Sequence, residues 1–171
     1  MKPPYWLLAA SFAFSSLCGG LHAQTAFNLS GQIVSGTCQW SISDVDSVVV
    51  LDPIPLTAVP ASGAVGFKPF QLTVSQCTAD LSKATFTFSG TPDISDPLRY
   101  QNTGTATGMA IELQSADGQT IGANGVNSAR TVPVSGTLAT LPLRVAYWHP
   151  AGTLVTVGTV ESAAVVTMSY Q

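Results

Sequence analysis

The chain has 171 residues, of which 46% are hydrophobic and only 9% charged. Six Lys/Arg against nine Asp/Glu give a formal charge of −3, and the absence of any basic cluster excludes a nucleic-acid binder. The length suits one domain. Abundant Thr, Ser, Val, Ala and Gly argue against a disordered exported tail and for an all-β protein whose surface is built from hydroxyls.

At the start, Lys2 precedes the mostly apolar run Trp6–Leu17, and Leu21-His22-Ala23 ends in a small residue before Gln24. This is the layout of a cleavable secretory signal over residues 1–23, too short and wrongly flanked for a membrane span. The competing reading is a lipidated Cys18, but Leu17 stands where a lipoprotein signal takes a small residue. Loss of residues 1–23 removes Lys2 and leaves five Lys/Arg against nine Asp/Glu, a charge of −4. It also leaves two cysteines, Cys38 and Cys77. In an exported chain they read as a disulfide with a single possible connectivity. Closing that loop is worth about 4 kcal/mol in the chain-entropy picture.

Residues Thr25–Ser35 alternate: Phe27, Leu29, Gly31 and Ile33 share one parity, Asn28, Ser30 and Gln32 the other. Period two with one apolar face predicts a half-buried strand, with a notch at Gly31. An edge strand at the front of the mature chain, with no turn tying it to a neighbour, is free to complete the sheet of another molecule. Gln39–Leu51 carries Trp40, Ile42 and the run Val48-Val49-Val50-Leu51, a strand interrupted around Asp44–Ser47. Asp52-Pro53-Ile54-Pro55 ends it, because proline cannot donate into a ladder. Leu56–Gly66 is a connection rich in Ala, Pro and Gly, and Phe70, Leu72 and Val74 then alternate into Cys77.

Thr78–Lys83 is short and polar, enough for one helical turn. Ala84–Phe88 alternates and stops at Ser89-Gly90, and Leu98–Gln101 reads as a short edge strand. Gly108–Gln114 puts Met109, Ile111 and Leu113 on one face, with Asp117-Gly118 as a hairpin-type turn. Asn124–Ser128 is loop, and Thr131–Val134 a short strand broken by Pro133. Leu141, Leu143, Val145 and Tyr147 alternate before Pro150–Gly152 turns the chain into a last strand, Ala163–Gln171. No window holds helical periodicity over three turns, and short strands separated by turn signals predict a β-sandwich.

With these segments in order, the chain resembles the fimbrial subunits of the chaperone–usher pathway, the type 1 pilin family. The resemblance is carried by LSGQIVSGTC (Leu29–Cys38), PFQLTVSQC (Pro69–Cys77), GMAIELQSADGQTI (Gly108–Ile121), LPLRVAYWHP (Leu141–Pro150) and VVTMSYQ (Val165–Gln171). It implies an all-β, incomplete immunoglobulin-like sandwich: a six-stranded pilin fold with one disulfide, completed by a donor strand. The domain layout it implies is signal peptide 1–23, donor-strand extension 24–37 and pilin domain 38–171. Phe27, Leu29, Gly31 and Ile33 are then the donor residues. Val166, Met168, Tyr170 and Gln171 are the groove-edge strand a chaperone pairs with, the Gln171 carboxylate serving as anchor. The implied partners are a periplasmic pilus chaperone, an outer-membrane usher, neighbouring fimbrial subunits and a host receptor. The implied location is a cell-surface fimbrium reached through the periplasm. Only 14 residues, Gln24–Thr37, precede the first cysteine, which points to a minor or tip-proximal subunit. The alternative reading is a tip-located single-domain adhesin or carbohydrate-binding module.

Catalytic chemistry has little to stand on. His149 is the one histidine after residue 23 and reads as a surface turn residue, so neither a multi-imidazole metal site nor a Cys–His nucleophile can be assembled. No Gly-x-Ser-x-Gly elbow exists. Asp93 and Asp96 read as a solvated loop, and Gly104 and Gly108 bracket a Thr-rich loop without the spacing or lysine of a phosphate cradle. Asn28-Leu29-Ser30 matches a glycosylation acceptor by chance, inside a strand that must pair. Trp40 and Trp148 suit core or rim positions without a sugar to stack on. No enzyme activity and no cofactor are expected.

Overall fold

The computed structural model describes residues 37–41 and 47–171, all inside the unit Val34–Gln171. The signal segment, Cys18, Ile42 and the donor residues Phe27, Leu29, Gly31 and Ile33 lie outside the described residues. Eight strands form among those described: β1 (Gln39–Trp40), β2 (Gly63–Ser75), β3 (Lys83–Gly90), β4 (Tyr100–Gln101), β5 (Ala110–Ser115), β6 (Ala129–Pro133), β7 (Ala139–His149) and β8 (Ala164–Tyr170). Six of them have five residues or more; β1 and β4 have two each. They make two antiparallel sheets, ordered β1-β2-β7-β5-β4 and β6-β3-β8.

Alternation fixes the faces. In β3, Ala84, Phe86 and Phe88 are buried between more exposed neighbours. Across the sandwich they meet Leu72 and Val74 of β2, Leu141 and Leu143 of β7, and Leu113 of β5 in one core. Trp40 packs edge-on to Phe86, with centroids 5.6 Å apart. Cys38 and Cys77 are bonded to each other. The bond staples the entrance of β1 to the exit of β2, whose ends already pair as Gln39↔Ser75.

β2 begins seven residues before Phe70, where alternation first becomes visible. Its early part is hidden by a register shift between Val65 and Lys68, and the extra residue of such a bulge breaks the period-two signal. Gly66, at φ +72°, takes the positive-φ position, and a Cβ there would come within 3.2 Å of the Tyr147 ring. Pro69 sits inside β2 without breaking it. Thr73 accepts from Ser41 N, so Thr73 turns its backbone groups toward β1. By the two-residue repeat Pro69 faces the same way, to a side where β1 pairs only with Val74 and Ser75.

His149 is not a surface turn residue. It is buried, with Nδ1 2.6 Å from Pro60 O and Nε2 3.1 Å from Thr153 O. It thereby ties the connection before β2 to the turn after β7. Val48–Leu51 also departs from expectation: it joins no ladder among the described residues.

Replacing both Cys38 and Cys77 by Ser should lower the unfolding free energy by about 2–5 kcal/mol, read from the urea midpoint of the oxidised and mutant proteins. An unchanged midpoint would show that the bond adds nothing the sheets do not already supply.

Candidate functional site

Apolar side chains that alternate inward from two sheets must be covered on every side, and here one side is open. A cavity of about 870 Å³ runs along the edge of the sandwich. Its floor is core: Leu72, Phe88, Tyr100, Ile111 and Leu113, with Phe70, Val145 and Tyr147 flanking. One rim is the run 47–51, and the other is Val160–Val166, which passes into β8.

Both rims have unused backbone. β8 pairs with β3 from Ala84↔Tyr170 to Gly90↔Ala164, and its other edge has no partner among the described residues. Every residue of β8 is half-buried or exposed. Across the groove, Val48 is 83% and Val50 70% exposed while Val49 and Leu51 are half-buried, which is strand patterning without a strand neighbour. Beyond Leu51 the chain is fastened: Lys68 Nζ lies 2.9 Å from Asp52 Oδ1, and Tyr147 Oη donates to Asp52 O at 3.3 Å. An unpaired edge beside an apolar cavity is a template for another strand.

The far end of the floor is set by residues that alternate across β4. Tyr100 points to the core side and is 1% exposed. Gly90 makes room for it, since a Cβ there would lie 2.5 Å from the Tyr100 ring. Arg99 turns to the opposite face. Its guanidinium lies 3.7 Å from the centre of the Trp148 ring, and its Nε pairs with the carboxylate of fully buried Glu112. Glu112 Oε1 also accepts from Gln114 Nε2 and Thr120 Oγ1, each at 2.7 Å. Arg99 therefore clamps the loop before β4 onto the outer face of the larger sheet, and β5 is buried on both faces for that reason. Burial, and then the charge of Glu112, push the Tyr100 phenol up to about 12. Its hydroxyl has no hydrogen-bond partner among the described residues.

Of the expected edge residues, Val166 lines the groove. Met168 packs half-buried on the core, and Tyr170 Oη donates to Cys38 O at 3.0 Å, at the disulfide end. Gln171 O accepts from Ser82 N at 2.8 Å and Lys83 N at 2.9 Å. Sequence reading missed the stretch Val160–Ala163 as rim, Tyr100 as floor, and the Arg99–Glu112 pair behind it. Asp93 Oδ1 accepts from Ser95 N and Asp96 N, holding its own loop. Among the described residues no three His, Cys, Asp or Glu side chains converge on a metal position.

The fold superposes on the P pilus rod subunit PapA with a TM-score of 0.66 at 19% identity, covering 78% of this chain and 99% of that one. It matches a subunit of a chaperone–usher pilus structure equally, at TM-score 0.66 and 19% identity over 88% of this chain and 97% of that one. In sequence, the chain is 28% identical over 166 residues to Protein FimG of Escherichia coli strain K12, covering 96% of this chain and 95% of that protein. It is 24% identical over 161 residues to Fimbrial protein 987P of Escherichia coli, covering 85% and 81%. The model of the fimbrial protein family matches residues 27–171. The chain belongs to that family: it is a structural fimbrial subunit, not an enzyme, and its fold is the immunoglobulin-like sandwich of pilins.

Tyr100→Phe removes a buried hydroxyl that none of the described residues satisfies, so it should raise unfolding stability by about 1 kcal/mol. The same change should flatten the alkaline limb of the stability profile. A phenol whose ionisation is raised on folding leaves stability independent of pH below about pH 10, and stability then falls as pH climbs toward 12 because the unfolded chain ionises first. A destabilised Phe variant with the wild-type alkaline slope would mean that the hydroxyl has a partner.

Proposed function

We infer that this fimbrial subunit polymerises by strand complementation: the groove takes in a β-strand from another molecule, and the leading segment is given to a further subunit. The observation that supports this is the apolar floor between two rims, 47–51 and Val160–Val166, beside an outer edge of β8 that joins no strand among the described residues. An inserted strand would extend the smaller sheet from the free edge of β8, fill the cavity above the floor and lie beside the run Val48–Leu51. Main-chain hydrogen bonds would supply register and alternating side chains would fill the groove.

The donor is the extension 24–37, which leads the chain ahead of the pilin domain 38–171 once the signal 1–23 is removed. Its Phe27, Leu29 and Ile33 carry the apolar surface; burying these three side chains contributes at most on the order of 5–9 kcal/mol. Gly31 is the one donor position that asks no side-chain depth of the groove. Before assembly a periplasmic chaperone lends the covering strand along the β8 edge, Val166, Met168 and Tyr170, with the Gln171 end as its anchor. An outer-membrane usher then passes the subunit to the neighbouring one, and the product is the surface fimbrium.

Deleting Gln24–Ser35 separates the two halves of this reading. The shortened protein should still be captured by the chaperone and still accept a strand, yet it has none to donate onward and so can stand only at a fibre end; fibre length by electron microscopy reads the outcome. Fibres of wild-type length from the deleted protein would show that the leading segment is not the donor.

A further inference from the structure

The rim Val160–Ala163 stands in no ladder, yet it borders an apolar floor that would gain by being covered. What holds it off is a clasp between the loop 101–108 and the segment 153–162. Thr105 N donates to Thr159 Oγ1 at 3.1 Å, and Thr159 N donates to Thr105 Oγ1 at 2.9 Å. Each hydroxyl thus takes the other residue's amide, doing for the pair what carbonyls do in a sheet. One step along, Thr107 N donates to Thr156 Oγ1 at 2.9 Å, and Thr156 N to Thr107 O at 3.2 Å. Asn102 Oδ1 accepts from Glu161 N at 2.9 Å, and Thr103 N donates to Glu161 O at 2.8 Å.

The two backbones can approach this closely because small residues face the contact. A Cβ on Gly104 would lie 2.3 Å from Thr159 O, and one on Gly158 would lie 2.5 Å from Ala106 N. The bonds end at Glu161 and Ser162, whose Oγ donates to Gln101 O at 2.9 Å, beside the residues that line the groove. Thr105 and Thr159 are exposed, so their hydroxyls are not needed to fill the core.

We propose, resting on the strand-acceptor reading, that the Thr105–Thr159 exchange is a positioning device for the acceptor groove. It fixes the Val160–Ala163 rim so that the groove stands open before a strand arrives. A rim that must first be lifted off its floor is competent for only part of the time, and affinity falls by that fraction. A rim already held in place spares the incoming strand that ordering cost.

The test uses the full-length oxidised chain and a fluorescein-labelled peptide copying Gln24–Ser35. Uptake is followed by anisotropy, alongside urea unfolding and amide hydrogen exchange. Thr105→Val with Thr159→Val should slow uptake by about tenfold or more through loss of preorganisation, with the urea midpoint near wild type. Thr105→Ser with Thr159→Ser keeps both hydroxyls and should restore uptake to within about twofold of wild type, as hydroxyl acceptors are retained. Amides of Val160–Val166 should exchange faster in the Val pair, while those of β3 and β7 are unchanged. Wild-type uptake by the Val pair, equal slowing in the Val and Ser pairs, or unaltered exchange at Val160–Val166 would each overturn the proposal. If the wild-type chain itself ignores the peptide, the strand-acceptor reading fails on its own, and the clasp is decided by the exchange measurement alone.

Discussion

One unmet ladder governs this molecule. β8 spends half of its backbone groups on β3 and leaves the other half facing outward beside an apolar floor. A strand at that position would fill the cavity beside Phe88, Leu113 and their neighbours while pairing with those groups. No strand among the described residues pairs with them. The disulfide, the Arg99 clamp and the threonine clasp hold the sandwich on different sides of that cavity.

The supports act from different sides. At one end of the groove, the Cys38–Cys77 bond and the Tyr170–Cys38 hydrogen bond close the sandwich. At the other, Arg99 grips Trp148 and Glu112 on the outside and so presses Tyr100 into the floor on the inside. Removing one partner of a buried ion pair generally costs about 3–5 kcal/mol because the other charge is left stranded, so this clamp is a rigid support. Along the rim, exposed hydroxyls hold the chain by reciprocal bonds that cost the core nothing. The groove is thus framed by a covalent bond, a buried ion pair and a surface clasp, each made within the chain itself.

Much of this was legible in the sequence. Ala84-Thr85-Phe86-Thr87-Phe88 and Val166-Thr167-Met168-Ser169-Tyr170 alternate without interruption, and both form strands with the expected inward faces. Cys38 and Cys77, the last two cysteines of the chain, are paired as their number required. The early part of β2 was hidden because a bulge resets the period at Gly66. Val48–Leu51 had the composition of a strand but no place in either sheet, since composition reports fitness for a ladder and not the presence of a neighbour. Glu112 and Arg99 were invisible as a pair because each looks like an ordinary surface charge until the loop before β4 folds across β5. His149 and the threonine clasp depend on contacts between residues far apart in the chain, for which no local pattern exists.

The central claim is that the domain lacks one strand and is stabilised when a strand is supplied. Thermal unfolding of the purified, oxidised chain in the presence of increasing unlabelled peptide copying Gln24–Ser35 tests it most directly. Binding to the folded state alone raises Tm with ligand concentration, so the account predicts a Tm that climbs steadily as peptide is added. A scrambled peptide of the same composition should leave it unmoved. A Tm indifferent to the true sequence would mean that the sandwich is already complete, and the account would be contradicted.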